Sequence, residues 1–250
     1  MIPDTNILIK LENENKKLRE KLNIAEQWIG RELSEMHFRK MKLETTKNTK
    51  NGLTETLKEI EERCSNYFGK CFEKLSPENR EILFESETNF SYLVRQKDLD
   101  GLIVTNGYQK ILENIFEEEF TRHFREENKK KKIQMTKNDI LEKTLYKVIK
   151  SDFHLSLGKI HLILKKTLEE NPGGLLENFR NSAEKQPLYS VISNGDFWEY
   201  FADIIETHAF GEKRHAGKIT LKDARLLREK ITGNFEKEGF LKIILEHLEQ

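Results

Sequence analysis

The sequence contains few of the residues that cross-link a chain or interrupt helices. Its 250 residues include only two cysteines, four prolines and thirteen glycines. Cys64 and Cys71 are separated by a spacing that matches neither a metal site nor an extracellular disulfide framework, so we expect two buried, reduced thiols. Because long segments show helical periodicity and little interrupts them, the sequence predicts an all-α fold.

An excess of charge of either sign is absent as well. The 43 Lys and Arg residues are balanced by 43 Asp and Glu residues. A neutral chain has no overall attraction for a polyanion, so any contact with nucleic acid has to be local. The sequence also lacks a run of about 18 apolar residues and a secretory signal pattern. We therefore expect a soluble, cytoplasmic protein with no membrane partner.

The motifs that identify common reactions are missing too. There is no glycine-rich phosphate loop, no Gly-x-Ser-x-Gly elbow and no His-Glu-x-x-His zinc helix. His154 and His161 have the spacing of one helical face, but no third metal ligand lies near them in the sequence, and we interpret them as core-edge histidines. The carboxylates of Glu117 to Glu119 are interpreted as helix surface. The sequence predicts no metal and no cofactor.

A heptad repeat is the clearest pattern that the sequence does contain, and it lies in residues 1–46. Apolar residues recur at the a and d positions, and one polar residue, Asn15, occupies an a position. A single Asn among apolar a positions favours a parallel two-stranded coiled coil, because its amide meets its mate in only one register. The predicted interface residues are Leu8, Leu11, Asn15, Leu18, Leu22 and Ile29.

The charges beside this seam agree with a parallel coil. Glu14 at a g position would face Arg19 of the partner, and Lys21 would face Glu26. Both pairs are attractive, although an exposed pair contributes only about 0.3–0.5 kcal/mol. The sequence predicts a homodimer, and two other interpretations stay open: the helix packs on its own domain, or it pairs with a different protein.

A polar linker, residues 47–52, separates this helix from a body that spans residues 53–250. Start and stop signals predict roughly eight helices in the body. Thr220 as N-cap with Asp223 three positions later is typical of a helix start, and Gly233 is a C-terminal stop. Ser76 followed by a proline predicts a second helix start.

Three more helix limits follow from weaker signals. Asp100 is the predicted N-cap of a long helix that ends near Glu126. Thr136 together with Asp139 repeats the capping arrangement and predicts another start. The last helix is predicted to begin near Phe235. The signals together predict one helical body that follows a separate N-terminal coil.

Four short segments of the body resemble a known family. They are Leu75-Ser-Pro-Glu-Asn-Arg-Glu-Ile-Leu83, Tyr108-Gln-Lys-Ile-Leu-Glu113, Leu155-Ser-Leu-Gly158 and Arg214-His-Ala-Gly-Lys-Ile-Thr220. Together they are similar to the HEPN-like helical domain of bacterial defence-associated proteins, over about residues 75–250. The resemblance implies a helical domain that belongs to an antiviral defence system.

Catalytic members of that family are metal-independent ribonucleases, which place an arginine and a histidine at a dimer interface with four to six residues between them. The resemblance puts His215 at the histidine position. Arg214 is directly adjacent to it, so the motif is degenerate. Arg31 and His37 match the spacing, but they lie in the N-terminal helix. Arg214 and His215 are therefore the candidate catalytic residues of an incomplete motif.

Two hypotheses from different classes follow. The first is a non-enzymatic accessory or adaptor protein that assembles through its N-terminal coil, as a subunit of a larger defence complex. The alternative is a HEPN-like ribonuclease toxin that acts on RNA. A cluster of lysines could contact nucleic acid in either case, and its simpler interpretation is a solvated loop. The cluster consists of Lys129, Lys130, Lys131 and Lys132.

Overall fold

The structure of the protein is a computed structural model that describes residues 14–15, 17–19, 52–95, 100–131, 139–151, 153–192, 195–207, 218–233 and 238–248. Residues 52–248 of this set form eleven α-helices and no strand, which confirms the all-α class. One isolated bridge joins Gly233 and Glu238. None of the described helices has the length and apolar content that a membrane span requires.

Two of the helices are extended by a tighter or wider helical turn. A 3-10 turn, Gly69–Lys74, follows the first helix, and one π-helical turn, Glu117–Thr121, joins the third helix to the fourth. In order, the helices are α1 (Gly52–Phe68), α2 (Pro77–Arg95), α3 (Leu102–Phe116), α4 (Arg122–Asn128), α5 (Ile140–Ser151), α6 (Leu157–Thr167), α7 (Gly174–Ala183), α8 (Tyr189–Ile192), α9 (Gly195–Ile205), α10 (Leu221–Thr232) and α11 (Phe240–His247).

The strongest predicted helix starts are confirmed. Thr220 accepts the backbone N–H of Asp223 through its hydroxyl, and the Asp223 carboxylate accepts the N–H of Thr220, so both halves of the capping box are present. Ser76 accepts the N–H of Asn79 at 3.2 Å. Gly233 ends α10 with a φ of 89°, a backbone conformation that favours glycine.

Other boundaries differ from the prediction. Asp139 is itself the cap of α5, because its Oδ1 accepts the N–H of Leu141 at 2.7 Å, whereas Thr136 lies outside the described residues. The last helix begins at Phe240 rather than near residue 235, since Gly239 before it is extended. A Cβ at Gly239 would lie 2.3 Å from the carbonyl carbon of Thr232, so the backbones pass too closely there for any side chain.

The number of helices exceeds eight for two local reasons. The long helix predicted from Asp100 contains the π-helical turn, which separates α3 from α4 without a break in the path of the chain. Over residues 175–195, for which the sequence predicts one short helix and an irregular turn, the structure has α7 and the additional short helix α8. The prediction was right about helical content and missed these interruptions.

At the N-terminal ends of two helices, a backbone N–H is accepted by a carboxylate from a neighbouring helix and not by the helix's own N-cap side chain. Oε1 of Glu113 in α3 accepts the N–H of Leu157, the first residue of α6, at 3.1 Å. Oε1 of Glu142 in α5 accepts the N–H of Leu175 at 2.9 Å, and the contact is buried. Gly174 has a φ of 51°, and a Cβ there would collide with the Glu142 carboxylate. These contacts fix where α6 and α7 start relative to the rest of the bundle.

A single apolar core runs through the body. α3 packs against α2, α6 and α10, while α7 packs against α4, α5 and α6. An aromatic cluster joins α3 to α9 and α11: Phe201 lies 5.3 Å from both Phe116 and Phe240, measured between ring centroids. Cys64 is buried and Cys71 is half-buried, and both are free thiols as predicted.

Candidate functional site

The N-terminal helix is described at only five positions. Asn15 and Leu18 are helical there and exposed, and Leu18 keeps 64% of its surface accessible. A leucine on the core-facing side of a helix in its own domain would be largely covered. The other predicted interface residues lie outside the described residues: Leu8, Leu11, Leu22 and Ile29.

Arg214 and His215, the candidate catalytic pair, also lie outside the described residues, as do Arg31 and His37. The structure does describe the anchor that follows them. Asp100 accepts the N–H of Ile219 at 3.0 Å, and the N–H of Gly101 donates to the Ile219 carbonyl at 2.8 Å. The start of α10 is therefore tied to the start of α3, next to the resemblance motif.

The lysine cluster is described except for Lys132. Lys129, Lys130 and Lys131 are exposed at the C-terminal end of α4. The Lys131 ammonium donates to the Asn128 side-chain oxygen at 3.3 Å. Glu127 pairs with Lys185 at 2.8 Å, and this hydrogen bond, followed by smaller contributions that include the charge of Lys131, lowers the pKa of Glu127. The three lysines thus present positive charge to solvent at one end of the α4 helix.

A buried cluster of four polar side chains, here called the Glu87 cluster, was not predicted. Glu87 of α2 is 2% exposed, and both of its oxygens accept from Arg228 of α10, at 2.9 and 2.8 Å. Arg63 of α1 donates to Oε2 at 2.9 Å, and the hydroxyl of Tyr108 in α3 donates to Oε1. One carboxylate therefore joins four helices.

The electrostatics of this cluster depend on its burial. Burial alone raises the pKa of Glu87, but the positive charges of Arg228 and Arg63 and the hydrogen bonds from Arg228 and Tyr108 outweigh it, so the pKa lies well below the ordinary value. Burial, and then the charge of Glu87, raises the pKa of the Tyr108 hydroxyl. Glu87 is therefore a carboxylate and Tyr108 a neutral donor at neutral pH.

The space available to a ligand beside the Glu87 cluster limits what the cluster can do. The cavity beside it measures about 10 Å³, which is roughly the space of one water molecule. The ring of Phe90 lies 4.8 Å from the Arg228 guanidinium carbon and covers it. A cavity of this size admits no substrate, so the cluster acts by holding α1, α2, α3 and α10 together.

One signal in the sequence could have located the cluster. Glu87 lies between Leu83 and Phe90 on the apolar side of α2, and Arg228 follows Leu227 on the apolar side of α10. A charged residue at such a position requires a buried partner.

The second cavity is an open cleft between α9 and α10. It measures about 360 Å³ and contains more acids than bases. Two of the acids are paired, because Lys230 lies 2.7 Å from Asp203 and Lys242 lies 2.7 Å from Glu238. Burial, and then the charges of Glu238 and Asp196, raises the pKa of the half-buried Tyr200 hydroxyl. The lining residues are Glu199, Tyr200, Asp203, Leu226, Glu229, Lys230 and Glu238.

The two histidines do not share a helical face, because α6 begins only at Leu157 and His154 precedes it. His154 is exposed, 3.7 Å from a Glu117 oxygen. His161 is half-buried, with its ring 5.0 Å from that of Phe201, and burial followed by the charge of Lys165 lowers its pKa. Within the described ranges, no three His, Cys, Asp or Glu side chains lie where they could share a metal ion.

The acidic run of α3 and the π-helical turn is only partly a solvated surface. The Glu117 side chain is 14% exposed and pairs with Arg125 at 2.6 Å, whereas Glu118 is 41% exposed. The prediction of helix surface was therefore wrong for Glu117. The cause is that α4 continues directly from the turn, and Arg125, eight positions further along the chain, pairs with Glu117 and covers it.

Comparisons with protein-family models, with curated proteins and with solved structures found no match to this chain.

Proposed function

We propose that this protein is a helical adaptor that assembles through its N-terminal heptad helix, as an accessory subunit of a larger complex. The exposed Leu18 is the observation that carries the proposal. It is an apolar d residue on a helix, it is 64% exposed, and burying a leucine side chain contributes about 1.5–3 kcal/mol. A second heptad helix would bury it together with the other d residues.

The polar residue one turn earlier supports a second copy of this chain as the partner. Asn15 is exposed at an a position, where an aliphatic residue would give a more stable coil. An Asn at one a position lowers stability but selects two strands in one register, because its amide is satisfied only by the amide of its mate. Glu14 and Arg19, both exposed in the described helix, are placed to pair across that dimer.

The place of this assembly in a bacterial defence complex rests on the HEPN-like resemblance of the body. The Glu87 cluster gives the body a rigid junction of four helices, which suits a scaffold that presents a coil and keeps its own shape. The adaptor proposal requires only the coil and a folded body.

Sedimentation of the full chain at micromolar concentration tests the proposal. The wild-type chain should be a dimer, Leu18→Glu should be a monomer because it places two carboxylates in the seam, and Asn15→Ile should admit trimers or larger species. Lys17→Ala is the matched control, since Lys17 is exposed at a c position away from the seam. A wild-type monomer that none of these substitutions changes would contradict the self-assembly proposal.

Incubation of the same preparations with RNA distinguishes the adaptor from the ribonuclease hypothesis. The adaptor proposal expects the RNA to remain intact. Cleavage by the wild-type chain that is lost in His215→Ala would support the ribonuclease instead.

A further inference from the structure

Helix α5 separates its charges by sign, with the acid inside the protein and the bases outside. Its sequence contains one acid, Glu142, and three lysines. Glu142 is 3% exposed because it accepts the N–H of Leu175 at the start of α7. Lys143, Lys147 and Lys150 are exposed, and none of them has an ion-pair partner in the described part of the chain. The outward side of α5 is therefore positively charged without compensation.

These three residues, here called the lysine face, form a straight row. Positions 143, 147 and 150 follow the spacing of one helical face, and at 1.5 Å per residue the row extends about 10 Å. The apolar side of the same helix is covered, since Leu145, Val148 and Ile149 are each at most 3% exposed. Only lysines project from the row.

The lysines at the end of α4 continue the lysine face. α4 and α5 pack against each other, with Arg125 Nε donating to the carbonyl of Val148 at 3.1 Å. Before α4, in the π-helical turn, Glu117 meets His154, which follows α5. The two helices are therefore antiparallel. Lys130 lies five residues beyond the Arg125 contact and Lys143 lies five residues before Val148, so the two groups of lysines lie toward the same end of the antiparallel pair.

We propose that the lysine face, together with Lys129, Lys130 and Lys131, binds the phosphate backbone of a nucleic acid duplex. Lysines are point charges that contact phosphates, and a duplex presents one negative charge about every 1.7 Å along its axis. α5 contains no Arg, Asn or Gln, the side chains that recognise base edges through paired hydrogen bonds. The binding is therefore independent of base sequence.

Two other kinds of partner, a membrane surface and another protein, fit these residues less well. A helix that binds a membrane surface inserts its apolar side into the lipid, and in α5 that side is buried in the core from Leu145 onward, with only Ile140 in the first turn exposed, at 77%. Protein interfaces are depleted in lysine and depend on aromatic and arginine anchors. The outward row of α5 has neither anchor.

Fluorescence anisotropy with a labelled DNA duplex and an RNA duplex of the same length tests the proposal on the full chain. If six lysines contact phosphates, the plot of log affinity against log salt has a slope of about −5, which means a loss of about 10³-fold between 50 and 200 mM salt. The triple variant Lys143→Gln, Lys147→Gln, Lys150→Gln should reduce that slope by about 2–3 for both duplexes.

The matched control removes the same charge from other helices. Lys58 of α1, Lys110 of α3 and Lys222 of α10 are exposed, and changing all three to Gln should leave the slope unchanged. Circular dichroism melts confirm that both triple variants fold. Equal losses in the two variants, absence of binding by the wild type, or binding to phosphatidylserine vesicles with none to either duplex would each overturn the proposal.

Discussion

The Glu87 cluster and the lysine face are both groups of charged residues on helices, but their surroundings are opposite. In the cluster, one carboxylate is surrounded by two guanidinium groups and a phenol within 3 Å, and Glu87 is 2% exposed. On α5, three ammonium groups face water without an ion-pair partner in the described residues. The buried carboxylate of the Glu87 cluster is paired with opposite charges, whereas the exposed ammonium groups of the lysine face are not, within the part of the chain that the structure describes.

This difference separates structural charge from charge that is available for binding. A buried ion that loses its partner costs several kcal/mol, so breaking the Glu87 cluster should lower the stability of the body. Exposed lysines contribute little to stability and can be neutralised by an external anion. Substitutions in the two regions should therefore affect different measurements.

The largest effect is expected at Glu87. Glu87→Gln leaves Arg63 and Arg228 facing a neutral amide in a buried site, and the expected loss in free energy of unfolding is about 3–5 kcal/mol. Denaturant unfolding followed by circular dichroism measures it. Glu85→Gln is the control, because Glu85 is exposed on the same helix and its loss should stay within about 0.5 kcal/mol. Equal losses would mean that the cluster has no special role in stability.

Acid should weaken the same cluster to a smaller extent. Because the pKa of Glu87 is lowered in the folded state, the unfolded chain binds the proton more readily, so this contribution to stability is present above pH 4.5 and is lost as the pH falls further. One such group gives a slope of up to about 1.4 kcal/mol per pH unit. Below pH 5, the free energy of unfolding plotted against pH should have slopes that differ by this amount between the wild type and Glu87→Gln. Parallel plots would contradict the prediction.

The smallest effect is expected at Glu142, the buried acid of α5. Glu142→Ala leaves the N–H of Leu175 without this acceptor and should lower the free energy of unfolding by about 0.5–2 kcal/mol. Glu142→Gln keeps an oxygen that can accept the bond and should lose less. Lys143→Ala, at the exposed neighbouring position, should unfold like the wild type. A Gln variant as unstable as the Ala variant would argue against the capping role.

The parts of the fold that the sequence predicted correctly are those that depend on neighbouring residues. The capping box of Thr220 and Asp223 and the cap at Ser76 each join a side chain to an amide three positions away. Such contacts form wherever the local sequence allows a helix to start. The π-helical turn was missed because no residue there prevents a regular helix. The extended Gly239 was missed because it depends on the close approach of the Thr232 backbone, which the local sequence does not show.

The candidate sites also divide into those that the local sequence identifies and those that only packing brings together. Asn15, Leu18 and the exposed lysines 129 to 131 could be named from periodicity and charge alone, and the structure finds those residues on the surface. The Glu87 cluster could not be assembled from the sequence, because Arg228 is 141 positions from Glu87. Only the packing of α10 on α2 brings them together.

The sequence alone determined the all-α class and the helix starts whose caps lie within three residues, because those interactions are local and do not depend on which other helix packs nearby. The tertiary structure decided which charged residues are buried and which face solvent. Glu142 and Lys143 are neighbours in the sequence, yet one caps α7 inside the protein and the other belongs to the lysine face. Their roles differ because neighbouring residues of a helix point in different directions, and only those that point toward a packed neighbour are buried. For α5, the position of α7 decides which residues these are.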